Sequence, residues 1–142
     1  MRGFFDPTDG SAKVELEISG INPSSKRKIT ALFDTGHTGT LSLPVLDLIQ
    51  IGAPLQSYGA VKFANGRRGV VYYFSVDVTI DGKTKTVQAG MIDNPAEKEA
   101  IAGLALFSEY ISFIDFKNKT ITFILEAQLK KMLAQNAKPS AP

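Results

Sequence analysis

From Ala12 onward the apolar Val14, Leu16 and Ile18 interleave with Lys13, Glu15, Glu17 and Ser19. A period of two turns one set toward a core and the other toward water, which predicts a half-buried strand. Residues 20–25, with Asn22-Pro23-Ser24-Ser25 among them, read as a loop. A second strand is predicted over Lys28–Phe33, and its apolar Ile29, Ala31, Leu32 and Phe33 run straight into Asp34-Thr35-Gly36. Pro44 to Ile51 opens on a proline, which suits a first helical turn, and is stopped by Gly52 and Pro54; a short helix is predicted there.

The pattern then returns to strands. Val61–Ala64 and Val70–Ile80 flank Asn65-Gly66-Arg67-Arg68-Gly69, a hairpin tip whose Asn-Gly pair tolerates positive φ. Asp81-Gly82 marks a second hairpin turn into residues 84–91. A polar loop over 94–98 precedes the apolar stretch 101–107, and two short strands, 111–116 and 120–125, are joined by Lys117-Asn118-Lys119. Residues 126–133 are helix formers with Leu129, Met132 and Leu133 on one face, expected to pack on their own domain or, alternatively, to serve a dimer contact. The fold class is all-β and mostly antiparallel, with two or three short helices. Nothing in the chain duplicates the Asp34 segment.

Composition narrows the function. At 142 residues and 44% hydrophobic, the chain can bury a core as one domain, expected over residues 1–135 with a small, polar, proline-bearing tail at 136–142. Sixteen basic residues nearly balance fourteen acidic ones, and the basic clusters are short and scattered, so nucleic acid is not an indicated partner. With no cysteine and the single histidine His37, neither a disulfide framework nor a zinc site is expected, and no cofactor is implied. No apolar run reaches membrane-spanning length and the N-terminus meets charge and proline early, so a cytoplasmic protein with no membrane partner is expected.

Asp-Thr-Gly alone is a weak signal: it arises by chance in roughly a few per cent of chains of this length, and Asp34 is equally compatible with an Asx-type turn closing a strand. Its context is longer. The run Asp34-Thr35-Gly36-His37-Thr38-Gly39-Thr40-Leu41-Ser42-Leu43-Pro44 resembles the catalytic loop of the retropepsin-like aspartic proteases, and within them a small prokaryotic single-domain subfamily. That subfamily usually carries phenylalanine where His37 stands. Further landmarks follow in the family's order: Ala64, Asn65 and Gly66 fall at its flap, Ile101-Ala102-Gly103 at the strand crossing the catalytic loop, and Ile114 to Ile121 at the strand-turn-strand that follows. After that glycine the family commonly has Asp or Asn two positions on, where this chain has Ala105.

The resemblance implies a closed β-barrel of the acid-protease type and an aspartic endopeptidase acting on peptide or protein substrates. Metal-free hydrolysis needs one group to take a proton from water and another to give one to the carbonyl oxygen; two carboxylates sharing a proton do both. With one such loop per chain, the second aspartate comes from a two-fold homodimer. Asp34 is then the catalytic carboxylate, Thr35 and Gly36 order its loop, and Ala64, Asn65 and Gly66 belong to the flap. His37 is either a solvent-facing loop residue or part of the substrate cleft. Asp115, in an alternating strand, is expected beside a turn and outside the chemistry. The competing reading is a dimeric retropepsin-like peptide-binding or adaptor module without turnover, motivated by His37 and Ala105.

Overall fold

In a computed structural model, which describes residues 1–136, ten strands form one sheet that curls back on itself. The strands are β1 (Arg2–Phe5), β2 (Ala12–Ser19), β3 (Arg27–Asp34), β4 (Leu41–Pro44), β5 (Leu55–Lys62), β6 (Arg68–Ile80), β7 (Lys83–Ile92), β8 (Ala100–Gly103), β9 (Tyr110–Asp115) and β10 (Thr120–Leu125). Their order is β5-β6-β7-β4-β8-β3-β2-β1-β10-β9, and an added pairing of β6 with β2 at Ile18↔Val78 closes β6, β7, β4, β8, β3 and β2 into a barrel. β5 and the β1-β10-β9 group extend beyond it.

The alternation along β2 does what its period dictates: Val14, Leu16 and Ile18 are buried together with Ile29, Ala31 and Phe33 of β3, Leu41 and Leu43 of β4, and Val76 and Val78 of β6. The β6–β7 hairpin turns on Asp81 and Gly82, both at positive φ (50° and 75°), which suits the right-handed twist of its strands. Helix α1 (Val45–Ile51) follows Pro44 and ends on Gly52 in the left-handed region at φ 63°, whose N–H satisfies the Ile49 carbonyl.

Helix α2 (Glu126–Asn136) buries none of its residues. Its stripe does not pack into the barrel, because Met132 and Leu133 are exposed and only Leu129 is half-buried. Most of the tail expected over 136–142 lies outside the described residues. Among the described residues no helix is long and apolar enough to cross a membrane.

Candidate active site

Asp34 is the last residue of β3, in parallel register with Gly103 of β8. The strand behind it is held by aromatic packing: Phe33 meets Phe107 and Phe123 edge to face at 5.4 and 5.2 Å, and those two rings stack at 4.5 Å. Asp34 is half-buried as a residue, and its Oδ1 accepts the Gly36 N–H at 2.8 Å, the bond of an Asx-type turn. A side chain at residue 36 would bring a Cβ to 3.1 Å from that oxygen, so glycine keeps the approach open. The His37 N–H donates to the Asp34 carbonyl at 3.2 Å and closes the turn. Thr35 is exposed.

β8 clasps this loop from the far side. Its Ala102 pairs with Phe33 on one flank and Leu41 on the other, and Ile101 pairs with Leu32 and Ser42. Beyond the strand, Gly103, Leu104 and Ala105 donate their N–H groups to Thr40, His37 and Gly39 at 2.9, 2.9 and 3.2 Å. Gly103 has extended backbone at φ −97°, so it is glycine for space alone: a Cβ there would overlap the Gly39 carbonyl oxygen and the His37 ring. The apolar stretch after it is a 3-10 turn, Leu104–Phe107.

His37 is half-buried rather than solvent-facing. Its Nε2 lies 3.3 Å from Ser42 Oγ. Both side chains border a cleft of about 850 Å³ between the loop that follows β3 and the β5–β6 hairpin. Val61, Phe63, Val70 and Val71 form the hairpin's share of the wall, with Met91 and Ile101 opposite. The structure therefore brings His37 and Ile101 to the cleft.

Ala64, Asn65 and Gly66 instead sit at the hairpin tip, outside the lining. There Gly66 takes φ 81° and donates to the Phe63 carbonyl, and Asn65 Oδ1 accepts the Arg67 N–H at 3.0 Å. Asp34 itself does not line the cleft of the single chain.

Ser42 and Phe63 were absent from the residues expected at the site. The signal for Ser42 was its place between two buried leucines, which in a strand turns it to the opposite side. Asp115 is exposed and bound by its own turn, accepting from the Asn118 N–H at 2.9 Å and its amide at 2.8 Å. Those bonds, the backbone one first, hold its carboxyl below the usual value, as a structural turn residue.

A charged cluster ties the β1–β2 turn to the strand-β8 approach. Lys13 Nζ lies 2.6 Å from Glu99, 3.3 Å from Asp6 and 3.7 Å from Asp9. It stands at the other end of the β2–β3 ladder from Glu17 and Lys28, and it touches nothing in the cleft.

No protein-family model matches this sequence, and no curated protein matches it. Among solved structures the chain is similar to EIAV protease complexed with the inhibitor HBY-793, a retroviral protease, with a TM-score of 0.52 and 13% identity over 72% of this chain and 90% of that one. At that identity the likeness is one of fold. This chain has the retropepsin-like acid-protease fold.

Proposed function

We propose that the chain is an aspartic endopeptidase working as a two-fold homodimer, in which Asp34 of each copy forms the catalytic pair over an extended peptide. The observation that carries this reading is the placement of Asp34: a half-buried residue at a strand end, its carboxylate held by the Gly36 N–H, in a loop that borders a roofed cleft. The retroviral protease with the same fold was solved with an inhibitor bound.

In the reaction the ionised member of the pair takes a proton from water while the protonated member gives one to the substrate carbonyl oxygen. Collapse of the tetrahedral adduct then hands a proton to the departing amine. Surface apolarity supports the second copy. Among the described residues β9 is an edge strand bearing the exposed Phe113, with Phe116 70% exposed just beyond it, and α2 offers Met132 and Leu133. A cytoplasmic setting is part of the proposal.

The test is cleavage of unfolded protein, read by mass spectrometry across acidic to neutral pH, for wild type and Asp34→Asn over a dilution series. Wild-type activity falls faster than protein concentration on dilution, and Asp34→Asn is inert. Cleavage that survives Asp34→Asn unchanged overturns the reading. The adaptor reading is favoured by one observation, that Asp34 stands outside the lining of the cleft in the single chain. It predicts equal peptide affinity in wild type and Asp34→Asn with no products at any pH.

A further inference from the structure

The cleft lining is largely apolar, with Thr38, Thr40, Gln88, Asp93 and Asn94 as further polar residues beside His37 and Ser42. Val61, Val71, Tyr73 and Met91 furnish apolar wall, while His37 and Ser42 stand together at the foot, with Nε2 and Oγ 3.3 Å apart. The histidine ring is held in place by two glycines. A Cβ at Gly39 would lie 3.0 Å from Nε2, and one at Gly103 would overlap Cδ2. Packing therefore orients the ring before any ligand arrives, so that little side-chain freedom remains to be lost on binding.

The 3.3 Å contact is itself a hydrogen bond: a protonated imidazole donates Nε2–H to Ser42 Oγ, which leaves the hydroxyl proton to donate to one carboxylate oxygen with the imidazolium charge behind it, and charge-assisted bonding of this kind strengthens where apolar walls thin out the water. Among the described residues no lysine or arginine lines the cleft. Its other titratable groups are Asp93, exposed at the mouth, and Tyr73; Asp34 lies three residues before His37 in the same loop.

We propose that His37 and Ser42 form a specificity pocket for an acidic side chain of the bound peptide, glutamate over glutamine, engaged when the imidazole carries its proton. The inference rests on the peptide-cleft reading above. An imidazole titrates between pH 5 and 8, and a glutamate side chain is ionised above about pH 4.3. The role of that proton is tested by comparing binding at two pH values on either side of the range in which histidine side chains in general change charge.

The experiment uses fluorescein-labelled octapeptides of Val, Leu and Tyr in which a single Glu or Gln is scanned through every position. Affinity is read by anisotropy on full-length Asp34→Asn protein at pH 5.5 and 8.5, and cleavage by wild type is followed in parallel. At one position Glu binds about tenfold tighter than Gln at pH 5.5, the order of a charge-assisted over a neutral hydrogen bond, and the ratio approaches one at pH 8.5. Adding His37→Gln or Ser42→Ala brings the pH 5.5 ratio toward one. His37→Phe, which keeps a ring between the glycines, does the same and guards against a folding artefact.

A Glu/Gln ratio that is near one at pH 5.5, or that is equal at the two pH values or survives His37→Gln, overturns the inference. If wild type cleaves peptides without discrimination, this inference fails and proteolysis stands; if discrimination is present without cleavage, proteolysis fails and the pocket stands. Failure of every peptide to bind overturns the pocket together with the cleft reading.

Discussion

Replacing Gly103 by alanine isolates the contact between β8 and the loop that carries Asp34. The backbone there is extended, so alanine meets no conformational strain, and the whole cost is collision. Its Cβ would overlap the Gly39 carbonyl oxygen and the His37 ring and stand 2.5 Å from the His37 carbonyl oxygen. Two of these obstacles are backbone acceptors, so relief requires β8 to withdraw from the loop.

Withdrawal stretches the Leu104 bond to His37 and the Ala105 bond to Gly39, because the colliding oxygens are the acceptors. Each bond is worth about 1 kcal/mol net, and overpacking adds roughly 2 kcal/mol. Loss of glycine's freedom in the unfolded chain returns about 1 kcal/mol. The net is a destabilisation of about 3 kcal/mol, or about 10 °C in melting temperature for a domain of this size.

Gly59→Ala is the control: its Cβ meets only the Tyr73 ring edge at 3.4 Å, an ordinary contact. Urea unfolding at fixed protein concentration, followed by circular dichroism, measures both. If Gly103→Ala falls within about 1 kcal/mol of Gly59→Ala, the steric reasoning is wrong.

Two further outcomes follow from contacts away from the loop. Phe123→Ala removes a ring that is 1% exposed and stacked on Phe107, and lowers stability by about 4 kcal/mol in the same assay; a loss below about 2 kcal/mol would mean that the aromatic cluster does not brace β3. Asp6 is held below its usual value first by the Thr8 N–H and Asp9 first by the Ser11 hydroxyl, so each contributes stability that is present above the unfolded carboxylate value and lost as pH falls through the folded one. The double variant Asp6→Asn, Asp9→Asn therefore flattens the fall in urea midpoint below about pH 4, and an unchanged acid limb would refute the assignment.

What the sequence made legible was set by period and punctuation. β2 spans the predicted residues, β10 likewise, and α1 stops at Gly52 as the glycine predicts, whereas Pro44, expected as the first helical residue, is the last residue of β4 and the extended cap before Val45. β1 escaped notice because Arg2–Phe5 is too short to show a period. β5 begins at Leu55, six residues before the predicted strand, because an edge strand with Gln56, Ser57 and Tyr58 exposed carries little alternation. β4 and β8 are four-residue strands fixed by their neighbours rather than by their own pattern.

The carboxylate was visible as a strand interrupted by Asp-Thr-Gly. The lodging of His37 between Gly39 and Gly103 was not, since those glycines meet only through the parallel pairing of β3 with β8.

One ribbon, β6, is both barrel wall and roof: Tyr73 to Ile80 lie on β7, and Arg68 to Phe74 lie on β5. The roof thus lacks a linker of its own. The register of its outer strand slips once, between Leu55 and Ser57, at the root of the hairpin. A bulge adds local bend and twist, so this slip marks the place where the outer strand of the roof changes direction relative to the barrel wall below it.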